Sequence, residues 1–301
     1  LGATIHRHQV EPGRTNVLAL FGEPRVVLTT HLDTVAPFVP PTLLADRVTG
    51  RGSCDAKGQV VAQLAAIEAL LAEGFDRVAF LGVVGEETDA LGAAAAEHWR
   101  KELRTCRLLV GGEPTNLALA TGQRGYQHLR LTTTGLAAHS GSPEKGRNAI
   151  WPLVDWLGAV RANPRPQHPD LGPEVWNLGL IEGGSAANVV PDHAVAEVLC
   201  RTVPDSTFLD EVRRSAPDAA RVDVLVDESP EHYPRLEGFE YEAMPFGSDV
   251  PTLRKLVPGA RVALAGCGRI EVAHTQGEHL TAAELLGGVA LNRELCLLEA
   301  R

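Results

Sequence analysis

The sequence predicts an open, layered α/β domain interrupted by a smaller α+β domain, and three observations carry that prediction. Apolar, β-branched runs alternate with alanine-rich helical runs through the first third of the chain, the pattern of a parallel sheet with helices laid across it. Three of those apolar runs end on a histidine or a carboxylate. After Asn116 the pattern changes to the apolar–polar alternation of half-exposed antiparallel strands.

To about Arg14 the chain reads as polar and irregular, and Asn16 to Phe21 and Val26 to Thr30 read as successive strands. Pro37, Pro40 and Pro41 stiffen the loop that follows. The stretch Gly50-Arg51-Gly52-Ser53-Cys54-Asp55-Ala56-Lys57-Gly58 runs into apolar residues at helical spacing, so Asp55 is expected to open the first long helix. Arg77 to Val84 reads as a buried strand, Thr88 to Leu103 as an alanine-rich helix and Leu108 to Val110 as another strand. Then come a strand at Tyr126 to Thr133, a helix at Asn148 to Val160 and a proline-rich loop from Pro164 to Pro173. Strands at Trp176 to Ile181 and Ala194 to Arg201, a helix from about Thr207 and a strand at Val222 to Val226 complete a β-α-β-β-α-β, ferredoxin-like order. Residues 118–228 are therefore expected to form an inserted domain, with 1–117 and 229–301 forming the other. Ser248 to Leu256, a strand at Val262 to Leu264 and a helix from Thr281 return to that first domain.

A length of 301 residues allows two domains, and 44% hydrophobic with 22% charged residues is ordinary globular composition. A formal net charge of -10 argues against a nucleic-acid or anionic-membrane partner. No apolar run reaches the ~18 residues of a membrane span. The five cysteines (Cys54, Cys106, Cys200, Cys267, Cys296) are scattered and without a CxxC. A reducing, cytoplasmic setting is expected on that ground, with no disulfide framework. No signal peptide is visible at Leu1.

The chemistry sits where the strands end. In Val26 to Val35, His31 and Asp33 lie two apart and share one face of an extended segment, which suits a metal-binding imidazole oriented by a neighbouring carboxylate. Glu86 and Glu87 follow the next apolar run, Glu113 the one after, and His274 comes late in the chain. Together with Asp55 they form the signature of a metal site beyond the carboxyl ends of parallel strands. Asp55 alone would be explained as a helix N-cap, and Glu86-Glu87 alone as a solvated helix start.

The order and content of these motifs resemble the M20 family of metallopeptidases and deacylases: acetylornithine deacetylases, succinyl-diaminopimelate desuccinylases, aminoacylases and glutamate carboxypeptidases. The matching segments are His31-Leu32-Asp33-Thr34-Val35, Gly50 to Gly58, Gly85-Glu86-Glu87, Gly112-Glu113-Pro114-Thr115, Ala138-His139-Ser140-Gly141-Ser142-Pro143, Asn188-Val189-Val190-Pro191-Asp192, Gly247-Ser248-Asp249 and Ala273-His274. The resemblance implies two divalent cations, one on His31, Asp55 and Glu113, the other on Asp55, Glu87 and His274. Mixed nitrogen and oxygen ligands fit Zn²⁺, with Co²⁺ or Mn²⁺ able to use the same set. Glu86 is then the expected general base, free because it points away from its ligating neighbour, and Asp33 orients His31.

Further roles come from the same resemblance. His139 is expected to steady an oxyanion across a homodimer built through the inserted domain. Arg124, Asn188, Arg201 and the Gly247-Ser248 turn are expected to contact substrate, the arginines holding a carboxylate. An N-terminal helix ahead of Leu1 is also implied. The reaction implied is removal of an acyl group from an N-acyl amino acid, acetylornithine deacetylase-like, with an M20 carboxypeptidase or dipeptidase acting on short peptides as the alternative. Cys267, standing where relatives usually carry proline, is expected to loosen the loop before His274. The sequence holds no Gly-x-Ser-x-Gly elbow, Walker loop or dinucleotide turn. Ser140 beside His139 is too close in sequence for a serine–histidine pair. Cys54 beside Asp55 is poorly placed to become a thiolate. The intact ligand set with Glu86 speaks against a non-catalytic binding homologue.

Overall fold

A computed structural model describes residues 1–299 of the chain. The strands and helices that place the site are β1 Thr4–Glu11, β2 Arg14–Phe21, β3 Val26–His31, α1 Lys57–Ala72, β4 Val78–Val83, α2 Leu91–Ala95 and β5 Leu108–Gly111. They continue with β6 Tyr126–Thr134, α3 Ile150–Ala162, β7 Val175–Gly183, β8 His193–Arg201, α4 Phe208–Arg214 and β9 Arg221–Glu228. Last come α5 Val250–Leu253, β10 Arg261–Leu264 and α6 Ala282–Leu297. The chain divides into two compact units. One holds Leu1–Thr121, His232–Met244 and Ser248–Arg301; the other holds Gly122–Glu231 and Pro245–Gly247.

The first unit is built on a six-stranded sheet in the order β1-β2-β4-β3-β5-β10. β3 pairs in parallel with β4 and β5, and β10 joins β5 in parallel. β3 and β4 are buried along their whole length, because a parallel sheet covered on both faces needs continuous apolar runs. Leu28, Ile67, Leu70, Val78, Leu108 and Leu295 meet in its core. Each such fully buried side chain stabilises the unit by roughly 1.5–3 kcal/mol. Thr281 opens α6 with a reciprocal capping box to Glu284.

Two expectations fail in this unit. The opening segment is not irregular: β1 pairs antiparallel with β2 across a Pro12-Gly13 turn, with Gly13 at φ +80°. Its polar side chains masked a regular edge strand whose residues alternate between half-buried and exposed. The helix expected over Thr88 to Leu103 is much shorter. The N–H groups of Thr88, Asp89 and Ala90 all converge on the Gly85 carbonyl, and Ala90 is left-handed at φ 52°. That tight turn postpones the helix to Leu91, and a 3₁₀ turn over Ala96–Trp99 ends it.

The second unit carries a four-stranded antiparallel sheet in the order β7-β8-β6-β9. With α3 and α4 between the strands, this is the ferredoxin-like arrangement. Leu129, Leu131, Leu153, Trp156, Val198 and Phe208 form its core. Trp156 Nε1 donates to the Val212 carbonyl at 2.9 Å, joining α3 to α4. Asn148 Oδ1 accepts the N–H groups of Ile150 and Trp151 at 2.8 and 3.3 Å, satisfying donors at the start of α3.

Candidate metal centre

In the first unit, the carboxyl ends of parallel strands deliver the site. His31 is the last residue of β3, Glu86 and Glu87 follow β4, and Glu113 follows β5. Asp55 stands before α1 without capping it, since the helix has no side-chain cap. Its carboxylate is used elsewhere: Oδ1 lies 2.8 Å from His31 Nε2, and Oδ2 lies 3.1 Å from His274 Nε2. One carboxylate therefore faces a different imidazole with each oxygen. His274 Nε2 is also 3.0 Å from Glu87 Oε1, and His274 holds a left-handed backbone at φ 62°, a cost usually kept only where a site requires it.

Ligand-type atoms of His31, Asp55 and Glu113 all lie within 4.8 Å of one another, and so do those of Asp55, Glu87 and His274. These are the two sets expected from the sequence, sharing Asp55. His31, Glu86 and Glu87 meet the same limit, so Glu86 also reaches the cluster. Asp33 ties the site to the strand end beyond it. Its Oδ1 accepts the Gly85 N–H at 2.8 Å and its Oδ2 the Glu87 N–H at 3.2 Å. His31 Nδ1 faces the Asp33 carbonyl at 3.2 Å and the Asp33 carboxylate at 3.6 Å. Asp33 thus holds the Gly85–Glu87 turn at least as firmly as it holds the imidazole.

The charge balance fits divalent cations. Asp55, Glu86, Glu87, Glu113 and Asp249 crowd two imidazoles. Burial raises the carboxyl of Glu86 to about 8, with His31 opposing and Asp249, Glu87 and Asp55 adding to the rise. Burial likewise raises Glu113 well above the usual carboxylate range. His274 is raised to about 9, chiefly by its hydrogen bond to Asp55. His31 is raised despite burial, because Asp33 and Asp55 hydrogen-bond its ring. Asp55 is held low despite burial by His274 and His31. Carboxylates that oppose one another's ionisation this strongly are satisfied when cations sit among them. The donors are two nitrogens plus oxygens, a set that suits zinc and its neighbours.

Several contributors were not singled out from the sequence. Asp249 lines a recess with His31, Glu86, Glu113 and Ser248. It follows directly on the Gly247-Ser248 pair that was expected to touch substrate, and this adjacency was the available signal. Gln59 Nε2 donates to the carbonyls of Cys54 and Cys267 at 3.1 and 2.6 Å, and its Oε1 accepts the Cys267 N–H at 3.0 Å. Cys267 therefore does not loosen the turn before His274: its N–H makes a bond that proline could not. Cys54 is buried and its thiol is pushed up beyond the reach of ordinary pH, which leaves it unsuited to attack.

The remaining expected residues fall mostly in the second unit. An isolated bridge pairs His139 with Val189, and the Ser140 N–H donates to the Asn188 carbonyl at 3.0 Å, so the two loops run side by side. His139 Nδ1 accepts the Gly141 N–H at 3.1 Å. The neutral ring then carries its proton on Nε2, as a donor. Arg124 Nε donates to the Leu171 carbonyl at 2.7 Å, and burial together with the charge of Arg201 lowers its pKa. Arg201 stacks 4.7 Å over the Tyr126 ring. An ideal Cβ on Gly247 would lie 3.5 Å from Arg201 Nη1. Arg124, Arg201 and Gly247 are thus gathered in one region of that unit, while Ser248 belongs to the first unit.

Comparison with known proteins agrees with this geometry. Residues 121–222 match a family described as the peptidase dimerisation domain of M20 proteins. A peptidase M20 domain-containing protein of Schizosaccharomyces pombe is 33% identical over 302 residues, covering 96% of this chain and 74% of that protein. A protein named probable carboxypeptidase from Aspergillus terreus is 38% identical over 312 residues, covering 92% and 72%. The aminopeptidase PepT of Bacillus cereus shares the fold at a TM-score of 0.78 and 18% identity, over 100% of this chain and 90% of that one. An M20 metallo-carboxypeptidase of Sulfolobus solfataricus does so at 0.74 and 16%, over 98% and 90%. The two compact units, the ligand cluster at the strand ends and these relationships lead to one conclusion: the chain belongs to the M20 family of metallopeptidases, hydrolases that act on peptide bonds with divalent metal ions.

Proposed function

We propose that this chain is a binuclear metallo-carboxypeptidase acting on short peptides that end in a free carboxylate. The observation that carries the proposal is Asp55, which offers one oxygen to each of two histidines. Relatives named probable carboxypeptidase support it, and so does the closeness of Arg124 and Arg201, since paired guanidiniums suit a terminal carboxylate. Removal of the acyl group from an N-acyl amino acid is the second reading. It breaks the same kind of C–N bond and leaves the same carboxylate, so the arginine pair favours both equally.

His31, Asp55 and Glu113 would hold one cation and Asp55, Glu87 and His274 the other. Zinc is the proposed metal at both positions. When bound, such a pair lowers the pKa of a water and polarises a carbonyl. Glu86 takes the proton of the attacking water and returns it to the departing amine. Asp33 keeps the Gly85–Glu87 turn in place while this happens. The Nε2–H of His139 is a donor for the developing oxyanion.

The test is a panel of C-terminally free and amidated dipeptides beside N-acetyl and N-succinyl amino acids. Cleavage of the free dipeptides with little cleavage of either other group is expected. Preference for acyl amino acids would hand the assignment to the second reading, and cleavage of the amidated peptides would remove the role of the carboxylate. Arg201→Ala should raise KM for free-carboxylate substrates by ~10-fold or more, the worth of a charge-assisted hydrogen bond, with little change in melting temperature. An unchanged KM would dismiss the arginine.

We also propose that the chain forms a homodimer through the second unit. β7 is a sheet edge, and it exposes Leu178, Leu180 and Ile181, while α3 exposes Trp151 and Val154. An apolar edge strand of this kind is a template for pairing with a second copy. If His139 serves the partner's site, mixing the inactive variants His139→Ala and Glu86→Ala should restore activity clearly above either alone. Mixed dimers that form by mass spectrometry yet stay inactive would rule the shared site out.

A further inference from the structure

The loops that carry Asp55 and His274 are joined by a charge pair that takes no part in the chemistry above. Glu278 lies a few residues after His274 and has 0% exposure. Its Oε1 accepts three backbone N–H groups, from Gly52 at 2.9 Å, Cys54 at 3.1 Å and Asp55 at 3.1 Å. Its Oε2 accepts Arg51 Nη1 at 2.5 Å, and that nitrogen lies 3.4 Å from the Thr275 carbonyl, which accepts from it. The Gly50 N–H donates to the Glu278 carbonyl at 2.9 Å. Amides converging on one oxygen form a nest for an anion, and here the anion is a side chain of the loop that bears His274.

Net stability is a poor explanation for this pair. Removing two charges from water costs about as much as their attraction returns, and an apolar pair of equal volume often does as well. Arg51 Nε is moreover buried with no hydrogen-bond partner among the described residues. What the pair does supply is position. Asp55 is bonded through its own amide to a residue on the loop of His274, so the carboxylate and the imidazole that share a cation cannot drift apart independently.

We propose that Glu278, held by Arg51, is the positioning residue that sets the Asp55 carboxylate against His274. This rests on the reading of Asp55 as a ligand common to two cations. The test titrates zinc by calorimetry into chelator-stripped wild type, Glu278→Gln and Arg51→Lys, each checked by circular dichroism and thermal melting. Glu278→Gln keeps the side chain's size and an acceptor oxygen but loses the charge that Arg51 holds. Its zinc affinity should fall ~10–100-fold, as when a group that orients a ligand is lost. At saturating zinc its kcat should fall while KM holds steady. Arg51→Lys keeps a charge without the planar fork and should show the same losses to a smaller degree; it carries the test if Glu278→Gln does not fold. A folded Glu278→Gln with wild-type zinc affinity and only a lowered melting temperature would overturn the inference. Wild type that takes up a single zinc would overturn the shared-ligand reading first, and the inference with it, so the two failures differ in which protein shows them.

Discussion

Glu86→Ala should keep its metal and lose turnover by ~10²–10⁴-fold, the usual worth of a positioned general base. Glu86 and Glu87 are neighbours in sequence with different surroundings. Glu87 Oε1 lies 3.0 Å from His274 Nε2, and its amide is bonded to Asp33. Glu86 instead lines the recess with Thr30, Glu113, Ser248 and Asp249, where a carboxylate is free to take a proton. Glu87→Ala should therefore lose metal from the His274 side, and its activity should partly return with excess zinc. Metal analysis of the purified variants beside kcat separates the roles. A Glu86 variant that comes out stripped and a Glu87 variant that comes out fully loaded would exchange the two assignments. Because Glu86 also lies within ligand distance of His31 and Glu87, this experiment decides between base and ligand.

Much of the fold was legible because burial leaves a simple mark on sequence. β3, β4 and β5 are buried throughout, so they read as unbroken apolar runs whose ends could be located. β6 sets buried Leu129, Leu131 and Thr133 between exposed or half-buried neighbours, and that alternation marked the change to an antiparallel sheet after Asn116. Where side chains do not reveal the backbone, the reading failed. β1 is an edge strand with mostly polar side chains, so its regularity lay only in hydrogen bonds to β2. The helix expected from Thr88 was rich in alanine, but three amides turning onto the Gly85 carbonyl outweighed that propensity. The candidate site divides in the same way. His31, Glu87 and Glu113 could be singled out because ligand residues at strand ends stand out against apolar neighbours, whereas Asp55 before α1 and His274 in a turn were placed in the set by the family resemblance. Glu278 could not, because its role is to accept backbone N–H groups, and any loop offers those. Gln59 was hidden for a similar reason: a buried glutamine in a helix looks like a surface residue until its carbonyl partners are known.

Asp55→Ala should be the most damaging single change, emptying both metal positions together. Asp55 is 5% exposed, and its carboxylate serves both histidines, Oδ1 toward His31 and Oδ2 toward His274. Glu113 is grouped with His31 and not with His274, and although Glu87 is grouped with each histidine, among the described carboxylates only Asp55 places oxygens within 3.1 Å of both rings. Loss of a group that merely orients a ligand costs ~10–100-fold in metal affinity, so loss of a shared ligand should exceed that at each position, with activity near background. His31→Ala and His274→Ala should each weaken mainly one position and leave a second zinc measurable by calorimetry. This ordering follows from geometry, since His31 lies 2.8 Å from one Asp55 oxygen and His274 3.1 Å from the other, so losing either histidine leaves the other contact in place. The change should also release strain between like charges. Asp55 adds to the forces that raise Glu86, Glu87 and Glu113 but is itself held low by His274 and His31, so the metal-free variant should fold with a melting temperature lowered by the loss of those two contacts. Its inactivity could then be assigned to the missing metals. An Asp55→Ala protein that still binds two zinc ions with wild-type affinity would remove Asp55 from the bridging position and leave two separate sites.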